Sequence, residues 1–239
     1  MLITFGSISF FANILLTIVY GLLTTVLQCK CSIYASHKSE RNMRPAFNYK
    51  KATQALNFLA GKQDGQINKM KALKLVYFAD RYHLRKYGRL ITNDTYYAME
   101  HGPVASGVKD IAEFSMILDS HEWGYASKYI VTTDQHNFKS LADVDQGEFS
   151  DSDIEALEFA WAKFGRFDQF QLRDLTHKYP EWQKWEKALQ NRSRIDMDIE
   201  DFLEDPAENV DKCFELTDED RQNRREQLKE FTKIVALWS

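Results

Sequence analysis

Histidine and its acidic neighbours are the residues in this sequence most able to do chemistry: His83, the pair Glu100-His101, and His177. Imidazole can ligate a metal or move a proton near neutral pH. Neither use has the spacing it needs. HExxH is absent and no two histidines stand at i, i+4. Cys29, Cys31 and Cys213 form no CxxC pair and no Cys/His ligand set. Ser106-Gly107 lacks the frame of a nucleophile elbow, and Gly61-Lys62 lacks the remaining residues of a phosphate loop. The sequence thus assigns no catalytic residue, no metal site and no cofactor. An enzyme would have to work with His101 and either Asp80 or Glu100.

A second constellation is basic. Lys71, Lys74, Arg81 and Arg85 recur near one face of the segment INKMKALKLVYFADRYHLRKY, residues 67–87. Such a stripe can contact phosphate or an acidic protein surface. The plainer alternative is a solvated face pairing with Asp80 or with the acidic stretch 196–220. With a pI of about 5.9 and no nucleic-acid motif, that alternative or a protein partner is favoured. Asp80-Arg81 falls inside an otherwise apolar run, so both need partners, for which Tyr96, Tyr97 or the turn at His101 are candidates.

The elements that must position these residues are mostly helical. Apolar spacing predicts a helix over 50–60 stopped by Gly61, and a long one over 67–87 ended by Gly88 as its C′ residue. Asn93-Asp94 reads as a turn and Tyr96–Met99 as a short strand. Gly102-Pro103 should break the chain sharply between that strand and a helix from Val108 to Leu118. Residues 128–142 read as strand, with a hairpin loop at 134–137. Ser150–Asp153, Asp168 and Thr217–Asp220 are helix starts, and the last helix runs to about Trp238.

Composition adds two asymmetries. Residues 44–101 hold eleven Lys/Arg against four Asp/Glu, whereas 196–220 hold twelve Asp/Glu against one Lys. The split suggests an internal electrostatic clasp or two differently charged partner surfaces. Residues 1–29 carry no charge at all. Positions 8–28 are apolar and long enough for one membrane-crossing helix, with Lys30, Lys38, Arg41 and Arg44 after it. Two readings of this leader stand: a single-pass anchor, or sequence translated upstream of a true start at Met43. The body is cytoplasmic under both, and a membrane is involved only if 8–28 is translated.

With those residues in place, the chain resembles a known family. KMKALKLVYFADRYHLRKYGRLITNDTYYAMEHGPVASGVKD, residues 69–110, is similar to the signature of the SocA-like Panacea antitoxin domain of type II toxin–antitoxin systems. Phe149–Asp153 matches that family's helix start, and Asp174–His177 followed by Pro180-Glu181-Trp182 its closing motif. The four blocks occur in order across about residues 50–190. Leu90, Asn93 and Ala105 depart from the usual Pro, Gly and Pro.

The resemblance implies an antitoxin without catalytic activity that neutralises a toxin encoded nearby, mostly by direct protein contact. One family member instead acts as an adaptor delivering its toxin to a protease. It also singles out Lys74, Tyr77, Asp80, Arg81, His83, Tyr87, Gly88, Arg89, Tyr97, His101, Gly102, Pro103 and Ser106 as signature or partner-binding residues. The expected architecture is mainly α, a bundle-like domain with a small β-hairpin or sheet. Its expected divisions are a leader and basic linker over 1–42, the domain over 43–190, and an acidic segment with a C-terminal helix over 191–239. A DNA-binding regulator using the basic helix 67–89 is the main rival, although nothing in the antitoxin reading requires nucleic acid.

Overall fold

The computed structural model describes residues 46–238, so the apolar leader and its expected helix lie outside the described residues. Described residues as far as Thr232 form one compact unit. The chain is mostly helical, with nine α-helices and two small antiparallel sheets among the described residues. No helix among them is long and apolar enough to cross a membrane.

Its axis is helix α2, Lys69–Tyr87, which follows α1, Tyr49–Lys62, and strand β1, Gln66–Asn68. The Asn68 side chain accepts the Lys71 N–H to start α2, and Gly88 stops it at φ +77°. A single apolar face would leave the other half of such a helix in water. Instead Lys69 to Arg85 are buried except Met70, because neighbours pack on every side. Helix α1 runs through Gly61, which keeps a helical conformation, and ends at Lys62 rather than Ala60.

After α2 come β2, Tyr96–Met99, and β3, Gly102–Ala105. Here the sequence expectation needs correcting: Gly102-Pro103 does not turn the chain into a helix. It opens a return strand, with Ala98 opposite Pro103 and Met99 opposite Gly102. Pro103 fits there because its missing N–H costs no ladder bond to β2. Helix α3, Ser106–Glu113, follows. It stops at Phe114 in the left-handed region, four residues short of Leu118. Helix α4, Ser120–Tyr129, then leads into β4, Ile130–Thr132, and β5, Asn137–Ser140. The Asp134 carboxylate holds their turn by accepting the His136 and Asn137 N–H groups.

Helix α5, Asp151–Phe164, starts on the Ser150/Asp153 capping box. It lies along α2, where Phe78 stacks on Phe164 and Tyr82 on Phe159, each at 4.1 Å. Helix α6, Gln169–Thr176, starts on Asp168. Two short helices follow: α7, Pro180–Gln183, and α8, Glu186–Leu189.

The acidic segment joins this same unit. Its strand β6, Arg194–Asp196, adds to β2 to give the order β3-β2-β6. The other sheet runs β1-β5-β4. The final helix α9, Asp218–Trp238, places Arg224 against the last carbonyls of α2, donating to Arg85 O and Lys86 O. A cation there satisfies carbonyls that the helix itself leaves open.

Candidate functional site

The basic stripe is not a surface. Lys71, Lys74, Arg81 and Arg85 are all buried, which corrects both the solvated-face and the phosphate-contact expectations. Arg85 donates to Leu203 O and Phe214 O at 2.7 Å each and to Asp205 Oδ1 at 2.6 Å. Arg81 donates to Phe202 O and Glu204 O, pairs with Glu181 at 3.3 Å, and lies over the Tyr179 ring. A guanidinium presents five donors in a rigid fork, so one side chain can bind several carbonyls of a passing segment. The charge asymmetry is therefore an internal clasp, made with backbone carbonyls as much as with carboxylates.

Asp80 does not pair with Arg81. Its oxygens accept the Ile91 N–H at 2.7 Å and the Tyr96 hydroxyl at 2.8 Å. That fixes the chain after Gly88 and the first residue of β2 to the middle of α2. Burial pushes this carboxyl up to about 7 despite both donors. Tyr77 donates to Glu181 at 2.5 Å, and burial raises the Glu181 carboxyl as well. His83 bridges the Arg89 carbonyl at 2.8 Å and Ser152 Oγ at 3.0 Å. Burial lowers its basicity, so it works as a neutral hydrogen-bonding ring. Arg89 reaches Ser150 Oγ and Asp153 at 3.0 Å each, and Tyr87, on the surface, donates to Glu155. These residues tie α2 to the start of α5.

A second set fastens the β2–β3 hairpin. Lys74, fully buried, donates from Nζ to Pro103 O at 2.7 Å, and desolvation lowers its ammonium to about 7. Gly102 sits at φ +95°, where a Cβ would lie 2.5 Å from Thr176 Oγ1 and 2.8 Å from Lys74 Nζ. Trp182 donates from Nε1 to Met99 O at 2.9 Å and carries the His177 ring stacked on it at 3.7 Å. Burial, with Lys74 nearby, pulls His177 down to about 4. Asp94 accepts the N–H groups of Thr95, Gly107 and Val108, capping α3 from outside that helix. Ser106 donates its N–H to Thr95 O, and the Arg194 guanidinium covers the Tyr97 ring.

The hairpin so fixed forms one wall of an open groove of about 1520 Å³. Leu73 of α2, Met99 and Val104 of the hairpin, Trp182 of the closing motif and Leu189 of α8 supply its apolar lining. Glu100, His101, Lys109, Glu113 and Arg192 supply charge and hydrogen-bonding groups. His101 is exposed there, whereas Asp80 uses both oxygens inside the core, so the two are not brought together as an acid/base pair. Among the described residues no group of three His, Cys, Asp or Glu is placed to hold a metal ion.

The thirteen signature residues therefore divide. Lys74, Tyr77, Asp80, Arg81, His83, Gly102 and Pro103 are buried framework, and Tyr87 and His101 are exposed. Gly88, Arg89, Tyr97 and Ser106 are half-buried. Several side chains that hold the fold lie outside that set, among them Arg85, Asp94 and Glu181. Arg85 carried a signal in the basic periodicity. Asp94 carried none, because its partners at 107 and 108 are near it only in space.

The fold and site define a mainly helical domain with small antiparallel sheets, organised by polar contacts around one buried helix. Residues 73–183 match the family model described as Antitoxin SocA-like, Panacea domain. Over this stretch the chain is similar to that antitoxin-like domain. No curated protein and no solved structure matches the chain.

Proposed function

We propose that this protein is an antitoxin that neutralises a cognate toxin, encoded beside it, by direct protein–protein binding. The observation that carries the reading is the groove built on the matched stretch and closed by residues on either side of it. Its hairpin wall is held by Lys74, Gly102 and Trp182, and Glu100 and His101 stand exposed along it. A wall held this firmly suits recognition, since a preorganised surface loses little conformational entropy on binding. The lining, mostly apolar with polar groups among it, resembles the composition of protein interfaces. Burial of the basic stripe removes the feature on which a DNA-binding reading rested.

Co-expression with the product of the adjacent open reading frame tests the proposal. The neighbour alone should arrest growth, the pair should grow, and the two proteins should co-purify. A harmless neighbour, or rescue without a complex, counts against direct neutralisation. Delivery to a protease would show as loss of the toxin from rescued cells, whereas neutralisation by binding leaves its level unchanged.

A further inference from the structure

The segment joining α3 to α4 exposes its apolar residues at a turn. Met116 is 102% and Ile117 80% exposed, and Trp123, one turn into α4, is 53% exposed. The sequence pattern gives these residues a place in a helix running to Leu118, where some of them would face the core. The chain instead leaves α3 at Phe114, φ +50°, a conformation uncommon for a residue with a side chain. The turn that follows is held in shape. Ser115 N–H donates to Asp110 O at 2.9 Å and Leu118 N–H to Ser115 O at 3.2 Å. The Phe114 ring meets Trp123 edge-on at 6.0 Å. The Asp119/Glu122 capping box starts the next helix immediately.

Surface apolar residues scattered singly need no explanation, but adjacent ones presented on a braced turn do. Their surroundings indicate what would cover them. Between residues 110 and 122 the chain carries Asp110, Glu113, Asp119 and Glu122 and no Lys or Arg; Glu113 is paired with Lys109 at 2.5 Å, which leaves the other three to set the charge around the tip. Acidic groups around an apolar tip disfavour an anionic bilayer and favour a basic rim on a partner protein. The tip also continues from the groove wall, because Lys109 and Glu113 of α3 line the groove.

The geometry points to Met116 and Ile117 as a wedge that enters an apolar cleft, bordered by Lys or Arg, on the protein this domain neutralises. The inference rests on the antitoxin reading above and adds the chemistry of the contact. Anchors buried at the centre of a contact, where the surrounding contacts exclude water, are how a few residues come to dominate binding.

The test uses the full chain with the toxic neighbour, in wild-type form and in two double variants. Met116→Asp with Ile117→Asp should abolish protection and weaken binding roughly 30-fold or more, the loss expected of hot-spot anchors. Its melting temperature should be unchanged, since both side chains are in water. Met116→Leu with Ile117→Leu should retain protection. Added salt should weaken wild-type binding. Met116 should oxidise readily with peroxide in the free chain and be shielded in the complex.

Full protection by the aspartate pair overturns the wedge and leaves the antitoxin reading intact. So does binding that ignores salt. Shielding of Met116 in the free chain overturns it too, because another part of this chain or a second copy then covers the tip. Capture of wild-type protein by phosphatidylcholine–phosphatidylglycerol vesicles, lost in the aspartate pair, would assign the tip to a bilayer instead. Failure of the wild-type chain to protect against a neighbour that is toxic alone overturns the antitoxin reading itself.

Discussion

The Lys74 ammonium, fully buried on the central helix, donates a 2.7 Å hydrogen bond to the carbonyl of Pro103 on the β2–β3 hairpin. The contact leaves no room at the residue before Pro103, where a Gly102 Cβ would stand 2.8 Å from the same nitrogen and 2.5 Å from Thr176 Oγ1. Gly102→Ala combines that crowding with an unfavourable φ of +95°. The variant should lose about 2–4 kcal/mol, read as a lower midpoint in urea. A wild-type midpoint would show that the hairpin can move away from Lys74.

Arg85 should matter far more than a surface arginine. Arg85→Ala leaves Leu203 O and Phe214 O without their donor and takes from Asp205 one of its two guanidinium partners, Arg221 remaining at 2.8 Å. A loss of about 3–5 kcal/mol follows from removing one partner of a buried charged network. Hydrogen exchange should accelerate over residues 200–216 first. Uniform acceleration across the whole chain would mean that the acidic segment is not held separately by this side chain.

Asp80 gives the fold a pH dependence of defined sign. Its folded value is raised to about 7 from an ordinary carboxyl value near 3.8, by burial. The folded protein therefore binds a proton more tightly than the unfolded chain. Its contribution is fully present below about pH 4 and is lost as pH rises through 7, with a slope of at most about 1.4 kcal/mol per pH unit. Asp94, raised to about 6, acts in the same direction. Asp80→Asn can still accept from Ile91 and bond Tyr96, so it should flatten the slope without unfolding the protein. Urea midpoints of both proteins between about pH 4.5 and 7.5 decide this, and parallel curves would refute it.

Asp94→Ala should unfasten α3. Three backbone N–H groups lose their acceptor: Thr95 at 2.7 Å, Gly107 at 2.9 Å and Val108 at 2.8 Å. The cost should exceed the roughly 1 kcal/mol of a single cap, and amides of residues 106–113 should exchange faster. Asp94→Asn, which keeps one acceptor oxygen, should lie between the two.

How much of this was legible beforehand depends on the range of the interaction. Helix starts at Ser150 and Asp168 and the stop at Gly88 were readable, because a cap is a contact within a few residues. The strand at Tyr96–Met99 and the turn at 134–137 were readable for the same reason. The family signature over 69–110 was readable as a pattern, and the match at 73–183 agrees with it. Tyr96 was among the partners suggested for Asp80, and it is one of the two the carboxylate uses.

Tertiary structure decided the rest. Periodicity could place Lys71, Lys74, Arg81 and Arg85 on a helix but could not say which side met water, since a helix enclosed on all sides has no solvated face. Return strand β3 and added strand β6 exist through pairing with β2, so nothing local in Gly102–Ala105 or Arg194–Asp196 announces them. Helix α3 ends at Phe114 although its apolar pattern continues, and that exposes Met116 and Ile117. The sequence determined the elements, the charge asymmetry and the family pattern. Only the packing decided that the asymmetry closes on itself, because Arg81 and Arg85 reach carbonyls more than a hundred residues away.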